Sequence, residues 1–459
     1  MPSTAPDATA PARHPRLLHG WGGTHPTRAD VLLPSSRTAL SQVLEGTGGR
    51  GVIARGLGRS YGDAAQNAGG QVVQTTGVSD FDLDAERGTV RASAGATLDD
   101  LLRELVPRGW FVPVSPGTRY VTVGGAIAAD IHGKNHHRSG SWCNHVERMT
   151  LALPGAGAVS VSPTDDPELF WATAGGMGLT GVVLDATFRC LPIETSQLLV
   201  DTDRAPDLDA VMSLMDEGDA DYDFSVAWID VLARGGSLGR SVLTRGRFAT
   251  AAEVPGDEAT RRAYDPAILV GAPSLAPSGL LNRLSIRAFN ELWFRKAPKR
   301  RRDELQSIPT FWHPLDMVEG WNRVYGRRGF LQWQYAVPFG AEATLRRTVE
   351  RLSRAGCGSF VNVLKRFGPS NPGPLSFPIP GWTLSVDVPV GLAGLGRLLD
   401  SLDDEVAAAG GRLYLAKDSR MRPELLATMY PRLDEWRAVR ARVDPDRVLR
   451  SDLSRRLLL

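Results

Sequence analysis

Residues 54–67 read ARGLGRSYGDAAQN, and this stretch decides the fold. It follows a β-type run that starts at Gly51, and it holds three glycines among small polar residues. Successive backbone N–H groups in such a turn surround phosphate oxygens, and glycine lets the backbone approach a ligand closely. The stretch therefore predicts a strand that leads into an anion-binding loop.

Two further glycine-rich segments follow, PGTRYVTVGGAIAADIHGKNHH at residues 116–137 and WATAGGMGLTGVV at residues 171–183. Each alone is a weak signal, because glycine-rich turns are common. None of the three segments fits the P-loop pattern of nucleotide kinases or the GxGxxG pattern of dinucleotide-binding dehydrogenases. Three such loops in one chain predict a ligand cradle of another kind.

The sequence around these loops predicts a mixture of strands and helices. A helix follows Thr97, because Thr is a good N-cap, acidic residues occupy the first turn and Gly109 ends the pattern. Residues 149–162 are typical of a β-hairpin, and residues 181–193 are typical of a strand. We therefore expect an α+β fold.

The composition is that of an ordinary globular protein, since 42% of the 459 residues are hydrophobic and 23% are charged. The net charge of +2 argues against a nucleic-acid partner, which would require a concentrated basic excess. Three scattered cysteines form neither a disulfide framework nor a CxxC pair, so we expect no metal site. The chain shows no signal-peptide pattern and no long apolar run, which predicts a cytoplasmic protein or one peripheral at the cell membrane.

The basic residues are unevenly divided, with 48 Arg and only five Lys. A chain that uses Arg almost everywhere still needs Lys where a compact charge with an adjustable pKa is required. Each lysine is therefore a candidate site residue. The five are Lys134, Lys296, Lys299, Lys365 and Lys417.

In their order along the chain, the three loops resemble the vanillyl-alcohol-oxidase type of FAD-dependent oxidoreductases, with a PCMH-type FAD-binding module. The likeness covers nearly the whole chain. It continues through FWHPLDM at 311–317, GFLQWQ at 329–334, VLKRFGP at 363–369, PLSFPIPGW at 374–382 and GGRLYLAKDSR at 410–420. DIHGKNHH and AKDSR are specific to a subgroup that acts on ribose lipids in actinobacterial cell-wall synthesis.

The resemblance implies an FAD that is bound non-covalently. Several relatives tether the flavin to a His before the Ser-Tyr pair of the first loop, and this chain has Arg59 there. His132 is the other possible attachment residue, but the resemblance makes it an active-site residue. The implied FAD-binding residues are Arg55, Gly56, Leu57, Gly58, Arg59, Ser60, Tyr61, Gly117, Thr118, Thr122, Gly124, Gly125, Ala126, Ile131, His132, Gly133, Gly181, Val182, Tyr414 and Lys417.

For the reaction, the resemblance implies oxidation of the 2′-hydroxyl of decaprenylphosphoryl-β-D-ribose to a 2′-keto sugar, the first half of epimerisation to the arabinose precursor of cell-wall arabinan. Lys417 and His132 are the candidates for taking the hydroxyl proton or stabilising the alkoxide, and the sequence does not choose between them. A structural His is the ordinary alternative for His132. The implied substrate-binding residues are Tyr61, Lys134, Trp228, Trp312, Gln332, Gln334, Lys365 and Ser385.

The implied architecture is a two-domain α+β flavoprotein. We expect a disordered tail at 1–17, an FAD-binding domain at 18–195 completed by 411–459, and an antiparallel-sheet substrate domain at 196–410. An NADH-dependent short-chain reductase is the implied partner. Residues 251–305 are poorly patterned and combine Leu275, Leu280, Leu281 and Ile286 with KAPKRRR at 296–302. They are interpreted as a solvated surface loop or, alternatively, as a membrane-surface patch.

Two other interpretations of the function stay open. A related flavoenzyme acting on another sugar or an alditol would share the pocket but not the lipid, and Thr383 and Trp312 depart from the usual Asn and Tyr of the subgroup. A flavin-bound protein without redox activity is the other alternative. The presence of Lys417, His132 and all three loops argues against it.

Ser385 generates a first prediction, because mycobacterial members of the subgroup carry a Cys at this position. A hydroxyl has none of the nucleophilicity of a thiolate, so inhibitors that act by capturing that thiol should form no adduct with this protein. Intact-protein mass spectrometry measures the adduct. The matched control is Ser385→Cys, which should acquire one, and an adduct on the unaltered chain that maps to Ser385 would contradict the prediction.

Overall fold

The structure, a computed structural model, describes residues 13–45, 49–272 and 281–459. Three β-sheets of four or more strands form the framework of this part of the chain. The first sheet has the strand order β1-β2-β4-β3. Its strands are β1 (Arg13–Leu18), β2 (Thr27–Leu32), β3 (Val52–Arg55) and β4 (Gln71–Gln74). Strands β2 and β3 both run parallel to β4, and β1 is antiparallel to β2. Strand β3 leads into the first glycine-rich loop, as predicted.

Strand β1 corrects the predicted tail, because residues 13–17 are paired with β2 in a six-residue register. The sequence of these residues, RHPRL, has no alternating apolar pattern, so it gave no strand signal. Backbone hydrogen bonds to the edge of a sheet need no such pattern. Residues 1–12 lie outside the described part of the chain.

The second sheet is antiparallel, with the order β5-β6-β10-β8-β9. Its strands are β5 (Phe81–Asp84), β6 (Thr89–Ser93), β8 (Val146–Leu153), β9 (Gly157–Val161) and β10 (Val182–Arg189), and β7 (Trp110–Phe111) pairs separately with β11 (Leu191–Pro192). The predicted hairpin is β8–β9 and the predicted strand is β10. The helices of this half are α1 (Arg37–Gln42), α2 (Leu98–Leu105), α3 (Val123–Ala128), α4 (His136–Ser139) and α5 (Pro167–Thr173).

Helix α2 confirms the helix predicted after Thr97. The Thr97 hydroxyl accepts the N–H of Asp100 at 3.1 Å, and the Asp100 carboxylate accepts the N–H of Thr97 at 3.3 Å. This reciprocal cap satisfies two of the N–H groups that a helix start leaves free. The helix buries its leucines on one face, and Gly109, with φ of 82°, ends the following turn.

The third sheet has eight strands in the order β16-β12-β14-β13-β19-β20-β18-β21, and all its neighbours are antiparallel. The strands are β12 (Gln197–Ala205), β13 (Phe224–Ile229), β14 (Ser241–Phe248), β16 (Arg300–Ser307), β18 (Phe330–Pro338), β19 (Asn362–Phe367), β20 (Gly381–Pro389) and β21 (Arg412–Leu413), with β15 (Val270–Gly271) paired parallel to β17 (Val318–Glu319) outside the sheet. The remaining helices are α6 (Leu208–Gly218), α7 (Glu258–Arg261), α8 (Arg283–Lys296), α9 (Ile308–Trp312), α10 (Glu342–Ala355), α11 (Leu395–Ala408), α12 (Glu424–Met429), α13 (Leu433–Val443) and α14 (Asp452–Arg456). None of the helices within the described ranges is long and apolar enough to cross a membrane.

Segment 251–305 contains more regular structure than the predicted surface loop, since it includes α7, β15, α8 and most of β16. The predicted apolar residue Ile286 is buried at 3% exposure, whereas Leu275 and Leu280 lie outside the described residues. Strand β16 begins inside the basic run and pairs with β12 at the edge of the third sheet. Edge strands tolerate charged side chains, so the basic composition concealed a strand.

The register of the third sheet places a row of predicted site residues on one face. Directly opposite residues of antiparallel neighbours point to the same side of a sheet. Trp228 is opposite Val363, Val363 is opposite Ser385, and Ser385 is opposite Gln334. Lys365–Thr383 and Gln332–Asp387 are opposite pairs on the same face, one step to either side of this row.

The C-terminal segment joins this sheet to the first loop. Strand β21 pairs with β18, so the chain enters its last segment as the edge of the third sheet. Arg456 in α14 then donates to Asp63, which follows the first loop, and to Asp418. Both contacts measure 2.8 Å. The domain boundaries at 195 and 410 stay predictions, although β21 shows that backbone pairing crosses the second of them.

Arg456→Ala should lower the free energy of unfolding by about 2–3 kcal/mol, because it leaves the buried Asp418 carboxylate without its cation. Urea unfolding followed by circular dichroism measures this loss. Arg437→Ala is the matched control, since the Arg437–Asp434 pair is exposed and should contribute less than about 1 kcal/mol. Equal losses for the two variants would contradict the role given to Arg456.

Candidate active site

The first glycine-rich loop offers a run of free backbone donors. Within the described chain, none of the N–H groups of residues 56–60 donates to a protein acceptor. Gly58 has φ of 65°, the left-handed region that favours glycine. A Cβ on Gly56 would lie 2.2 Å from the Thr122 hydroxyl oxygen, so only glycine lets the first and second loops come together here. The geometry is that of an anion-binding nest.

The second loop contributes the start of helix α3. Thr122 caps the helix by accepting the N–H of Gly125 at 3.2 Å. A Cβ on Gly124 would lie 3.0 Å from the Ala94 Cβ, so this glycine lets α3 pack close to the end of β6. Just before it, the Thr118 hydroxyl accepts the N–H of Tyr120, and open space surrounds Gly117.

Two arginines of the first loop have different surroundings. The Arg55 guanidinium donates to the carbonyl oxygens of His19 and Ala65, so its side chain holds the loop in shape. The Arg59 guanidinium lies 3.9 Å from the Trp21 ring centroid, and its buried Nε has no partner among the described residues. Burial lowers the pKa of Arg59. Free N–H donors and an under-satisfied cation together fit the diphosphate of FAD.

His132 lies in an aromatic cage beside the third sheet. Its ring centroid is 4.9 Å from that of Phe367, 5.5 Å from Phe377 and 5.0 Å from Tyr414. Burial lowers the pKa of His132 well below its usual range, and the charges of Lys365, His136 and Lys417 act in the same direction. The ring is therefore neutral.

Hydrogen bonds around Gln334 define which nitrogen of His132 carries the proton. The Thr383 hydroxyl donates to the carbonyl oxygen of Tyr335 at 2.8 Å, so it must accept from the Gln334 side-chain amide at 3.2 Å. The same amide nitrogen lies 3.0 Å from His132 Nε2, which is then an acceptor. The proton of the neutral ring is on Nδ1, which is buried and has no partner among the described residues.

Lys417 lies in the turn after β21, with Nζ 4.0 Å from the centroid of the Tyr61 ring. Two backbone hydrogen bonds hold this turn, from Tyr61 N–H to the carbonyl oxygen of Ala416 and from Tyr414 N–H to that of Gln334, each 3.0 Å long. Burial lowers the pKa of Lys417 to about 7. The Asp387 carboxylate opposes this shift and the Lys365 charge reinforces it.

Asp387 is a site residue that sequence reasoning missed. Its carboxylate is fully buried, accepts from Gln332 Nε2 at 2.6 Å and from the Tyr325 hydroxyl at 3.3 Å, and burial raises its pKa to about 7. The sequence could have indicated Asp387, because it is two residues after the predicted site residue Ser385. Side chains two residues apart on a strand point to the same face of the sheet. Tyr325, in a short 3-10 turn, carried no such signal.

Three of the five lysines meet in this site. The Lys134 ammonium donates to the carbonyl oxygen of Phe311, and burial lowers its pKa to about 7 with a contribution from the Lys365 charge. Burial lowers the pKa of Lys365 to about 8. Because the Lys365 charge also acts on Lys417 and His132, the four groups share one electrostatic environment.

The other predicted residues occupy more peripheral or more buried positions. Trp228 is partly buried and donates to the carbonyl oxygen of Phe360 at 2.9 Å. Trp312 is 1% exposed, with ring centroids of Phe224 at 4.9 Å and Phe111 at 5.6 Å. Predicted cofactor residues that the structure places in the buried core are Ala126, Ile131 and Val182.

The remaining cofactor residues lie along the loops. Tyr414 donates its hydroxyl to the carbonyl oxygen of Ala129 at 2.7 Å, which ties the last segment to α3. A Cβ on Gly133 would lie 2.7 Å from the Ser115 carbonyl oxygen, so the backbone is tightly enclosed beside His132. Gly181, predicted beside the adenine, immediately precedes β10, and its contact with the cofactor stays a prediction.

Comparison with known proteins identifies the family. Residues 29–162 match the FAD binding domain family, and residues 395–457 match the D-arabinono-1,4-lactone oxidase family. Over 40% of its length and 32% of the relative, the chain is 31% identical to L-galactono-1,4-lactone dehydrogenase 2, mitochondrial, of Oryza sativa. It is 43% identical to an uncharacterized protein of Streptomyces coelicolor over 79% of this chain and 99% of that one. It is 44% identical to decaprenylphosphoryl-β-D-ribose oxidase of Mycolicibacterium smegmatis over 97% of this chain and 98% of the relative. The chain therefore belongs to the decaprenylphosphoryl-β-D-ribose oxidase family of FAD-dependent oxidoreductases.

Proposed function

We propose that this chain oxidises the 2′-hydroxyl of decaprenylphosphoryl-β-D-ribose to the 2′-keto sugar, the first half of epimerisation to the arabinose lipid used for cell-wall arabinan. The observation that carries the proposal is the Lys417 amine, whose pKa is about 7 and which lies against Tyr61 where the FAD-binding loops meet the polar face of the third sheet. The kinship with the mycolicibacterial oxidase supports the same substrate.

FAD, when bound, supplies the hydride acceptor for this oxidation. The residues that would hold it are the free N–H groups of residues 56–60, the Arg59 cation and the start of helix α3. We propose that the flavin is not covalently attached, because Arg59 stands where tethering relatives have His. At the other possible attachment residue, His132, the Nε2 atom already accepts a hydrogen bond from the Gln334 side-chain amide.

The proton of the 2′-hydroxyl needs a base, and the two candidates differ in protonation. His132 Nε2 already accepts a hydrogen bond from Gln334, and its low pKa disfavours the imidazolium. An amine with a pKa near 7 is partly neutral at neutral pH and can take a proton in the transition state. We therefore assign Lys417 as the base, and the Nδ1–H of His132 as a donor that can stabilise negative charge on the sugar oxygen.

Lys134 and Lys365 are suited to the phosphodiester or a ring hydroxyl of the substrate. Their lowered pKa values show that burial penalises both charges in the absence of an anion. An anionic group placed beside them would offset that penalty and favour the ammonium forms. Gln332, Gln334 and Ser385 add neutral hydrogen-bonding groups on the same sheet face.

The second half of the epimerisation needs a hydride delivered to the 2′-keto carbon from the opposite face of the ring. An NADH-dependent short-chain reductase is the proposed partner for that step.

The related alternative, oxidation of a different sugar or an alditol, has one observation in its favour. Trp312 is packed into the core at a position where the subgroup has Tyr, so its ring presents no phenolic hydroxyl to the pocket.

Anaerobic reduction of the bound flavin tests the reaction. Addition of farnesylphosphoryl-β-D-ribofuranose should bleach the oxidised-flavin absorbance, and Lys417→Met should slow bleaching by about 10²–10⁴-fold because the base is lost. Lys299→Met, which alters an exposed lysine, is the control and should behave as the unaltered protein. Bleaching by free sugars or alditols but not by this lipid would support the alternative substrate, and rapid bleaching of Lys417→Met would reject Lys417 as the base.

The pH dependence of the second-order bleaching rate constant, measured well below saturation so that it reports the substrate-free protein, tests the base by two opposite shifts. Only neutral Lys417 accepts a proton, so the rate should rise with pH and level off above a midpoint of about 7. Asp387→Asn removes a charge that raises the pKa of Lys417 and should move the midpoint to lower pH. Lys365→Met removes a charge that lowers this pKa and should move it to higher pH. Shifts of the same sign in both variants would contradict the assignment.

A further inference from the structure

Asp130 lies just after the end of helix α3, two residues before His132, and its carboxylate is buried among hydrogen-bond donors. The residue is 1% exposed and has φ of 41°, in the left-handed region that Asp and Asn tolerate better than most residues. Its carboxylate accepts the N–H of Cys143 at 3.0 Å and the side-chain amide of Asn371 at 2.5 Å. Burial raises the pKa of this carboxyl, and its hydrogen-bond donors oppose the shift.

The bond to Cys143 fixes the turn that carries His132. On the far side of the same turn, the Trp142 N–H donates to the carbonyl oxygen of Ile131 at 2.9 Å. The Ile131 N–H in turn donates to the carbonyl oxygen of Ala126 at 3.0 Å, which ties the turn to α3. The backbone is therefore held at each of the two residues that precede His132.

The bond to Asn371 fixes the segment between β19 and β20. The Asn371 side chain also shapes this segment from within, since its Oδ1 accepts the Gly373 N–H at 2.9 Å. The segment continues to Phe377, whose ring centroid is 5.5 Å from that of His132 and 4.6 Å from that of Tyr414. One wall of the aromatic cage around His132 thus belongs to the segment that Asn371 holds in place.

The third glycine-rich loop closes over both segments. The N–H of Gly175 donates to the carbonyl oxygen of Ile127 in α3 at 3.0 Å. A Cβ on Gly175 would lie 3.5 Å from the Asp130 Cβ and 3.3 Å from the Leu375 carbonyl oxygen, so this loop packs against α3 and the β19–β20 segment together. The Asp130–Asn371 bond therefore lies in an enclosed junction, where small displacements of either segment meet packed neighbours.

We propose that Asp130 and Asn371 form a positioning pair for His132: they fix the backbone that carries the imidazole and the Phe377 wall beside it, and so direct its Nδ1–H toward the sugar oxygen. Both residues act through His132 and are positioning residues rather than catalytic ones. The inference rests on the proposed function, in which this Nδ1–H stabilises negative charge on the substrate. A group that acts in the transition state is sensitive to position, since a misplacement of about 1 Å can cost about 100-fold in rate.

Asp130→Asn tests the pair with little change in shape or backbone preference. In either orientation of the new amide, its N–H group faces the donor of Asn371 or the donor of Cys143. In the FAD-loaded protein, the limiting rate of anaerobic bleaching by farnesylphosphoryl-β-D-ribofuranose should fall about 10–100-fold. The half-saturating concentration should change less than about twofold, because the interaction that is lost is made in the transition state.

Exchange of the two side chains should rescue the loss. Asn371→Asp alone places two carboxylates face to face and should slow bleaching about as much as Asp130→Asn. In Asp130→Asn/Asn371→Asp, the amide at position 130 donates to the carboxylate at position 371, and the N–H groups of Cys143 and Gly373 keep their acceptors. The double variant should return to within about threefold of the unaltered protein, because the two changes are coupled. A double variant no better than the single ones, in rate or in FAD content, would overturn the pairing.

A cycle with His132→Gln separates positioning from a general structural role. The Gln side chain offers no counterpart of the Nδ1–H, so nothing is left for the pair to direct. Asp130→Asn should therefore slow bleaching by less than about twofold further when it is added to His132→Gln. The full loss of the single variant in that background would overturn a role that acts through His132.

Asp444→Asn is the matched control. Asp444 is also 1% exposed, and its carboxylate accepts the N–H groups of Val448 at 2.7 Å and Leu449 at 2.9 Å in the C-terminal segment. The substitution should lower the temperature of thermal unfolding and leave the limiting bleaching rate within about twofold of the unaltered protein. Equal rate losses in Asp444→Asn and Asp130→Asn would show a general effect of a buried amide and would overturn the proposal.

Imidazole NMR of the FAD-loaded protein tests the positioning without any substrate. Long-range ¹H–¹⁵N spectra of histidine-labelled protein report the ring nitrogens, and the loss of one set of signals in His132→Gln assigns those of His132. The His132 signals should shift or broaden in Asp130→Asn and return in the exchanged double variant. Signals that stay unchanged in Asp130→Asn would overturn the positioning. Absence of bleaching in the unaltered protein would instead reject the proposed function and leave the NMR result standing.

Discussion

The site depends on one backbone junction, in which residues 414–418 are held between the first FAD-binding loop and the third sheet. The N–H of Tyr61 donates to Ala416 on one side, and the N–H of Tyr414 donates to Gln334 on the other. The first of these bonds joins residues that are 355 positions apart in the chain, and the second joins residues that are 80 positions apart. The Lys417 side chain, which projects from this junction, acquires its position and its lowered pKa from both neighbours at once.

Desolvation of like charges is the second constraint. Three lysines are largely removed from solvent, the Lys365 charge acts on both Lys134 and Lys417, and Asp387 is the carboxylate that acts on Lys417. Such an arrangement is unfavourable for folding, because burial and mutual repulsion both oppose the ammonium forms. A fold retains such a cluster where function requires it. The same features make the site receptive to an anionic substrate and leave one amine able to accept a proton near neutral pH.

Local signals predicted much of the first two sheets. The sequence predicted the helix after Thr97, the β8–β9 hairpin and the strand before the first loop. It could do so because caps, turns and the alternation of apolar residues act over only a few positions. The strands β1 and β16 were not predicted, because the sequence of β1 has no alternating apolar pattern and β16 begins in a basic run. Each owes its conformation to pairing with a partner strand. Asp387 was missed for a related reason. Its importance comes from burial beside Lys417, which the register of the third sheet decides.

The sequence by itself determined the chemistry that the chain carries: three glycine-rich loops suited to a diphosphate, five lysines against a background of arginine, and the motifs of a flavoenzyme family. Glycine freedom and lysine basicity are properties of single residues and short segments, so the sequence displays them directly. Only the tertiary structure decided which nitrogen of His132 is free and which carboxylate opposes the pKa shift of Lys417. Those properties arise from distances and desolvation between distant segments, and they exist only once the sheets are assembled.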